Sequence, residues 1–181
     1  VPGILKSLRL LVYGASYSDI DLIRKLNFYF PNKLCQGYGL SEATSQLTSL
    51  NTNDHELGKK NEIILHSVGK PILGVIIQIR NKDNKKLKFN EIGEIWVKTD
   101  KVMNGYLNDL KKTNETIIKG WLKTGDIGYF NKNGYLFLKD RMSDVIISGG
   151  INVYPSEIEK VLLSYDNIIE TAVVGIKDDY W

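Results

Sequence analysis

An apolar run, a helical pattern and a second apolar run fill the first part of the chain, and this order constrains the fold most. Residues 8–13 are mostly apolar and end at Gly14, as expected for a buried strand. Ser18 is the expected cap of an acidic first turn, and apolar residues follow at helical spacing, namely Ile20, Ile23, Leu26 and Phe30. Residues 33–36 form the second run and lead into Gly37. The pattern predicts a parallel strand–helix–strand unit with a right-handed crossover and with both glycines at its carboxyl edge.

From residue 75 onwards the pattern is that of an antiparallel sheet. Short β-rich runs at 75–79, 94–98 and 135–138 are separated by polar turns at 81–84 and 131–134. A strand at 145–147, a glycine turn, a helix from Pro155 and a β-branched run at 171–174 follow. We therefore predict an α/β fold, α+β in parts. It comprises a parallel-sheet segment over residues 1–70, a small antiparallel β-barrel subdomain over 71–139, a hinge over 140–144 and the start of a small α+β domain over 145–181.

Composition and chain ends narrow the class of protein. The 24 basic and 21 acidic residues nearly balance at a net charge of +3, which does not favour nucleic acid as a partner. The single cysteine, Cys35, is expected to be a small buried side chain and fits a reducing cytoplasm. No apolar run approaches the roughly 20 residues of a membrane helix. The start at Val1 without methionine and the end at Trp181 lead us to expect a piece of a longer protein.

Residues 36–42 combine two glycines with an aromatic ring, a hydroxyl and a carboxylate, in the order Gln36, Gly37, Tyr38, Gly39, Leu40, Ser41 and Glu42. Glycines let a ligand approach the backbone closely, and a tyrosine between them can stack on a planar base. The hydroxyl and carboxylate oxygens that follow can meet a phosphate and its Mg²⁺. The alternative is an ordinary turn in which Ser41 caps a helix.

A second block, Thr124-Gly125-Asp126, is followed fifteen residues after the aspartate by Arg141. A carboxylate on a turn can accept hydrogen bonds from both vicinal hydroxyls of a ribose, whereas the alternative is a surface turn. Arginine carries a permanent charge on a planar fork and can make paired hydrogen bonds. Gly14-Ala15-Ser16, at the end of the first strand, is equally compatible with a nucleotide loop and with a plain strand-to-helix turn.

In their order and spacing, these blocks and Gly149-Gly150 resemble the nucleotide-binding motifs of the adenylate-forming enzymes, the AMP-binding superfamily of acyl-CoA synthetases and luciferases. The resemblance covers nearly the whole chain, as the C-terminal part of the large domain and the start of the small one. It implies catalytic roles for Ser41, facing phosphate or acyl carbonyl, and for Glu42, which would bind Mg²⁺. It implies nucleotide contacts for Gly14, Ala15, Gln36, Gly37, Tyr38, Gly39, Ser41, Asp126 and Arg141. In this set Tyr38 would face the adenine, Asp126 the ribose, and Arg141 ribose or phosphate.

The resemblance has departures as well as matches. Ser41 replaces the family's usual threonine but keeps the hydroxyl, and Tyr17 stands about where a proline is usual. The hinge residue would be Ser143, where the family usually has Asp or Lys. Gly149 and Gly150 would form the turn that reaches the active site in the thioester-forming pose and leaves room for the pantetheine arm of CoA. Ile151 stands where many CoA ligases have glutamate, and residues 93–98 and 102–108 match the family as scaffold.

The implied activity is that of an ATP-dependent acid–thiol ligase that uses ATP, Mg²⁺ and CoA. The acid's carboxylate would attack the α-phosphate to give an acyl-adenylate and pyrophosphate, and the thiol would then displace AMP. Residues 41–46 and Ser143 are similar to o-succinylbenzoate–CoA ligases, while fatty acids, aryl acids and carrier-protein loading stay open. A non-catalytic nucleotide-binding module and a luciferase-type oxygenase are the competing hypotheses. A cytoplasmic location is expected, and a homodimer is left open.

Neither histidine is expected to act as a catalyst. His55 lies in a polar stretch and is expected to be solvated, and His66 is expected to be a structural or surface residue. No His, Cys and Asp residues have the spacing of a metal site, so a structural zinc is not expected.

Overall fold

The first sheet is built around the glycine-rich strand. A computed structural model describes residues 7–16 and 18–178, so that Tyr17 and both chain ends lie outside the described residues. Strands β1 (Leu11–Gly14), β2 (Leu34–Leu40), β3 (Ser45–Leu50) and β4 (Lys70–Pro71) lie side by side in that order. Helix α1 (Ile20–Tyr29) connects β1 to β2, which run parallel, with Gly14 beside Gly37. The predicted parallel strand–helix–strand unit is confirmed.

Two local predictions in this sheet are wrong. Helix α1 is capped by Asp19, whose carboxylate accepts the amide of Leu22 at 3.3 Å, and not by Ser18. The glycines at 37 and 39 do not form a loop after the second strand, because β2 continues through them to Leu40. The reason is the antiparallel partner β3, which gives the glycine backbone a ladder of hydrogen bonds and a bulge between Tyr38 and Gly39.

The second sheet is antiparallel and curls into a half-barrel, which confirms the predicted class. Its strands are β5 (Ile76–Arg80), β6 (Gly93–Lys98), β7 (Ile117–Ile118), β8 (Trp121–Phe130) and β9 (Leu136–Arg141). The order is β5-β6-β8-β7, and β9 pairs with the second half of the long strand β8. Helix α3 (Leu110–Thr116) precedes β7. The polar turn at 131–134 closes the β8–β9 hairpin, with the Gly134 amide donating to the Asn131 carbonyl at 3.0 Å.

One hydrophobic core joins the two sheets. It includes Tyr38 and Leu47 from the first sheet and Ile77, Ile95, Val97, Leu122 and Leu136 from the second. A smaller cluster of Leu50, Ile64, Tyr135 and Phe137 lies beside it, near helix α2 (Thr52–Gly58). Because close-packed interiors resist relative movement, this shared core fixes β2 with respect to β8 and β9.

The last part of the described chain contains a hairpin and a helix. Strands β10 (Ile146–Ser148) and β11 (Ile151–Val153) pair antiparallel, and Gly149 and Gly150 form the tight turn with φ of 56° and 82°. Helix α4 (Pro155–Leu162) begins with the predicted proline. Residues 171–174 do not form the expected strand, since the amide of Val173 donates to the Glu159 carboxylate at 2.8 Å instead of to a neighbouring strand. The domain boundaries stay predictions.

Within the described ranges, no helix is both long and apolar enough to cross a membrane.

Candidate functional site

A cleft of about 640 Å³ runs along the carboxyl end of β1 and the glycine-rich strand β2. It is lined by six of the residues predicted from the sequence, namely Gly14, Ala15, Gly37, Tyr38, Gly39 and Ser41. Because binding loops of α/β sheets gather at this edge, the cleft lies where the fold places ligands. Five further residues line it: Val12, Tyr13, Leu40, Ser45 and Gln46. Leu40 lies within the predicted block 36–42, and Ser45 and Gln46 lie within residues 41–46. No ligand contact is predicted for Val12 and Tyr13, whose residue types carry no local signal of binding.

The glycines allow the strands of this cleft to approach one another. A β-carbon on Gly14 would lie 2.2 Å from the carbonyl oxygen of Gly37, and one on Gly39 would lie 1.5 Å from that of Ser45. Neither distance is compatible with a side chain, so both positions require glycine in this backbone. Ala15 follows with a φ of 67°, a left-handed conformation that is costly for a residue with a β-carbon.

Tyr38 connects the cleft to the Thr-Gly-Asp block. Its hydroxyl donates to Oδ2 of Asp126 at 2.6 Å, across 88 residues of sequence. Tyr38 belongs to the buried core and is only 9% exposed, so little of its ring is open for the stacking expected from the sequence. Tyr38 therefore contacts Asp126 through its hydroxyl, while the face of its ring is buried in the core.

Asp126 lies in strand β8 and not on a turn, which corrects the prediction. Strand β6 lies beside this part of β8, and its residues Trp96 and Glu94 pair with Lys123 and Ile127. Because more residues of β8 than of β6 lie between these two pairs, β8 bulges over residues 124–126. Gly125 makes the bulge possible with a φ of 74°. The bulge directs the Asp126 side chain towards the Tyr38 hydroxyl.

The fifteen-residue spacing between Asp126 and Arg141 is explained by the β8–β9 hairpin. The two residues are direct cross-strand partners, and Nε of Arg141 lies 3.7 Å from Oδ1 of Asp126. The arginine side chain is 75% exposed whereas that of Asp126 is 18% exposed. The guanidinium is thus open to solvent and to a ligand, since an exposed ion pair at this distance holds it weakly.

Arg141 and Glu42 both influence the Asp126 carboxyl. Burial raises the pKa of the Asp126 carboxyl, the Tyr38 hydroxyl and the Arg141 guanidinium lower it, and the negative charge of Glu42 raises it. Three groups remote in sequence therefore lie within electrostatic reach at the edge of the cleft.

Glu42 lies on a short 3₁₀ helix, Ser41–Ala43, directly after β2. Oε1 of its carboxylate accepts the hydroxyl of Tyr106 at 2.8 Å, and its carbonyl accepts the Met103 amide at 2.8 Å. The sequence indicates only a scaffold role for residues 102–108, so the contact of Tyr106 with Glu42 is one that sequence reasoning missed. The half-buried carboxylate fits a divalent cation, because Mg²⁺ is commonly bound by one or two carboxylates together with substrate phosphates. Among the described residues, no group of three or more His, Cys, Asp or Glu side chains could hold a metal ion.

Six predicted residues do not line the cleft: Glu42, Asp126 and Arg141, which are described above, and Gln36, Gly149 and Gly150. Gln36 lies in β2 beside Tyr13, and its Oε1 is buried with no hydrogen-bond partner among the described residues. Gly149 and Gly150 are exposed in the β10–β11 turn. The CoA contact expected of that turn stays a prediction.

Two expectations on side-chain burial are wrong. His55 is not solvated but lies in helix α2 with 1% exposure, because its partners come from β1 and α1, far away in the sequence. Cys35 is half-buried and not fully buried, with its Sγ 3.3 Å from the Ser49 hydroxyl on the neighbouring strand. His66 is exposed, as expected.

Residues 3–107 match the family described as AMP-binding enzyme. The chain is 40% identical over 176 residues to 2-succinylbenzoate–CoA ligase of Bacillus licheniformis, covering 97% of this chain and 35% of the relative. It is 45% identical over 146 residues to the ligase of the same name from Bacillus cereus, covering 81% of this chain and 29% of the relative. The chain thus spans about a third of the length of the curated relatives it matches.

Two solved structures are similar to the whole arrangement. One is o-succinylbenzoate CoA synthetase (MenE) from Bacillus subtilis in complex with the acyl-adenylate OSB-AMP, with a TM-score of 0.85 at 37% identity over 96% of this chain and 34% of that one. The other is the amide bond synthetase McbA from Marinactinospora thermotolerans, with a TM-score of 0.84 at 34% identity over 97% of this chain and 35% of that one. Both agree with the α/β sheet and antiparallel half-barrel described above.

Proposed function

Because the chain belongs to the family of AMP-binding enzymes, we propose that it is the corresponding part of an ATP-dependent acid–CoA ligase. The observation that carries the proposal is the hydrogen bond from Tyr38 to Asp126. It places a partly buried carboxylate, with Arg141 beside it, next to a glycine-lined cleft. A carboxylate beside an arginine is suited to a ribose with a phosphate attached, since it accepts from hydroxyls while the guanidinium donates to phosphate oxygens.

In this proposal the nucleotide lies along β2. Gly14, Ala15, Gly37 and Gly39 hold the adenine side through backbone groups, and Gln36, which does not line the cleft, belongs to the strand that carries Gly37 and Gly39. Asp126 accepts the ribose hydroxyls, Arg141 donates to ribose or phosphate, and the edge of Tyr38 meets the base. Ser41 donates its hydroxyl to a phosphate or acyl oxygen, and Glu42 holds Mg²⁺, which supplies positive charge to the phosphates. Gly149 and Gly150 accommodate the pantetheine arm of CoA.

The chemistry of the proposal has two steps. An oxygen of the acid's carboxylate attacks the α-phosphorus of ATP, and the bond to pyrophosphate breaks. The CoA thiolate then attacks the acyl carbonyl, and AMP leaves with the electron pair of the broken C–O bond. The residues of this chain contribute by positioning and by stabilising charge that develops on phosphate oxygens.

The acid we propose is 2-succinylbenzoate, because relatives of 40% and 45% identity are named for it. We also propose a cytoplasmic location, in agreement with a single cysteine that has no disulfide partner in the sequence. A homodimer stays a prediction.

A second candidate function is amide bond formation, in which an amine replaces CoA as the acceptor. The likeness to McbA, a TM-score of 0.84 at 34% identity, favours it, as does Ile151 at a position where many CoA ligases have glutamate. The first step and the nucleotide site would be the same.

The test uses the whole protein to which this chain belongs, with ATP, Mg²⁺, 2-succinylbenzoate and CoA. We expect AMP and a thioester in equal amounts, and neither product when the acid is omitted. Benzoate, a medium-chain fatty acid and a carrier protein are tested in parallel, and an amine replaces CoA in a further reaction. Formation of an amide without a thioester would favour the second function. ATP binding without AMP release would instead indicate a non-catalytic nucleotide-binding module. The 181 residues alone should show no ATP–pyrophosphate exchange.

A further inference from the structure

Tyr13 connects the cleft end of β1 to a buried histidine. Tyr13 lines the cleft and directly precedes Gly14 in the sequence. Its hydroxyl lies 2.8 Å from Nε2 of His55. The two rings meet edge to face, with centroids 5.7 Å apart and planes at 74°. One polar contact and one ring contact therefore join the cleft to helix α2.

The second ring nitrogen of His55 fixes its protonation. Nδ1 lies 2.8 Å from the backbone carbonyl oxygen of Asn51, which can only accept a hydrogen bond. Nδ1 therefore carries the proton of the neutral ring, and Nε2 offers its lone pair to the Tyr13 hydroxyl. Burial lowers the pKa of His55 against smaller opposing effects of the Asn51 carbonyl, Asp54 and Glu56. Burial also raises the pKa of Tyr13, so the phenol keeps the proton that it donates.

His55 is itself held firmly. It is 1% exposed, and its backbone carbonyl accepts the side-chain amide of Asn27 in helix α1 at 2.9 Å. Helix α2 begins with a reciprocal cap in which Asn51 and Asp54 each accept the other's backbone amide at 3.0 Å. The imidazole thus belongs to a rigid part of the molecule.

The end of β1 needs such an anchor. Gly14 and Ala15 have φ of 153° and 67°, and Gly14 packs against the carbonyl of Gly37. Backbone conformations of this kind persist only where the surrounding structure holds them. Tyr13 is the residue before this pair and is fixed by His55.

We propose that His55 is a positioning residue for the cleft, which acts by accepting the Tyr13 hydroxyl and so fixes Gly14 and Ala15 against a planar ring of the ligand. The inference rests on the proposed function. The planar ring is the adenine of ATP or the aromatic ring of the acid, and the two are separated by the experiment below. His55 itself touches no ligand in this proposal.

The test compares Tyr13→Phe, His55→Phe, the double variant and His55→Gln in the whole protein, with His66→Phe as the control at the exposed histidine. Each single Phe variant should raise one KM about fivefold, in line with one lost hydrogen bond of about 1 kcal/mol, with kcat unchanged. The double variant should be no worse than either single one. His55→Gln, whose carbonyl oxygen can accept the phenol, should recover part of the loss. A raised KM for ATP alone identifies adenine, and a raised KM for the acid alone identifies its ring.

Unchanged KM values in variants whose melting temperatures fall would overturn the inference and leave a structural role, and so would additive effects in the double variant. A wild-type protein that releases no AMP with any acid would overturn the proposed function instead. In that case calorimetric binding of adenosine to wild type and Tyr13→Phe decides the inference. Weaker binding by the variant supports it, and equal or absent binding overturns it.

Discussion

The hydroxyl of Tyr38 lies 2.6 Å from Oδ2 of Asp126 and joins the glycine-rich strand of the first sheet to the bulge of the second. It connects a cleft-lining residue to the β8–β9 hairpin that carries Arg141. The bond holds the carboxylate in one orientation, and it lowers a pKa that burial raises. A carboxylate held in this way is ready to accept hydrogen bonds from a ligand without rearranging first.

Replacing Asp126 with alanine should weaken ATP binding about a hundredfold, because two hydrogen bonds to a charged group, each of at least ~1.5 kcal/mol, are lost together. Tyr38→Phe should weaken it less, about fivefold, since the carboxylate stays but loses the hydroxyl that orients it. Isothermal calorimetry on the whole protein measures both. Asp83→Ala, in an exposed turn of the second sheet, is the matched control. Unchanged affinity in Asp126→Ala would remove Asp126 from the nucleotide site.

The affinity for adenosine should fall as the pH is lowered, and it should begin to fall above the ordinary titration range of aspartate. The ionised carboxylate accepts the ribose hydroxyls, and burial raises its pKa, so protonation removes the acceptor at a higher pH than usual. In Tyr38→Phe the midpoint should move to still higher pH, because the hydroxyl that lowers the pKa is gone. Adenosine is the probe because it has no phosphate that titrates in this range. Calorimetry between pH 4.5 and 7.5 checks the order of the midpoints, and the opposite order would contradict the assignment.

The sequence predicted much of this site because its signals are local. The apolar runs and the helical spacing gave the β1–α1–β2 unit, and the turn residues gave the antiparallel sheet. The fifteen-residue spacing of Asp126 and Arg141 is the one that makes them cross-strand partners in the β8–β9 hairpin.

The parts that sequence reasoning missed depend on distant partners. Gly37 and Gly39 lie in a strand because β3 pairs with them, and β3 itself is too polar to read as a strand. His55 is buried by contacts with residues 42 and 28 positions away, which no local pattern reveals. Tyr106 approaches Glu42 across 64 residues for the same reason.

Gly14→Ala should destabilise the fold by about 3 kcal/mol and abolish adenosine binding. Its β-carbon would lie 2.2 Å from the Gly37 carbonyl oxygen, so strands β1 and β2 must separate at the cleft. Gly134→Ala is the matched control, because Gly134 has a φ of 78° but nothing within 4 Å of the added carbon. It should cost about 1 kcal/mol from backbone strain alone. Urea unfolding compares the two, and equal losses would show that the close approach of the strands is unimportant.

Tyr135→Phe should destabilise the protein by about 1–3 kcal/mol. The Tyr135 hydroxyl donates to Oδ1 of Asp54 at 2.7 Å, and Asp54 is 6% exposed, so the substitution leaves a buried carboxylate oxygen without its donor. Tyr129→Phe is the control, since it keeps the ring stacked on Phe137 with centroids 5.1 Å apart. The midpoint of urea unfolding should fall in the first variant and change little in the second. A similar shift in both would argue against the Asp54 bond.

The contacts across the predicted hinge at Ser143 should favour the first half-reaction. Lys139 donates to the Glu157 carboxylate at 2.5 Å, and the Ser156 amide donates to Asp140 at 3.0 Å, so helix α4 is fastened to the end of β9. These contacts connect residues on either side of the hinge and must break if the small domain rotates. The Gly149-Gly150 turn does not line the cleft in this arrangement, so we expect the pose held by these contacts to differ from the one that would admit CoA.

Glu157→Ala combined with Asp140→Ala should therefore slow ATP–pyrophosphate exchange by about tenfold. The double variant loses one ion pair and one hydrogen bond across the hinge, together with the local bond from the Arg141 amide to Asp140. Thioester formation from preformed acyl-adenylate should be unchanged or faster, because less energy is needed to leave the fastened pose. Both half-reactions are measured on the whole protein, with Glu170→Ala as a control on the exposed last segment. If the double variant slows thioester formation and leaves pyrophosphate exchange intact, the contacts instead favour the second step.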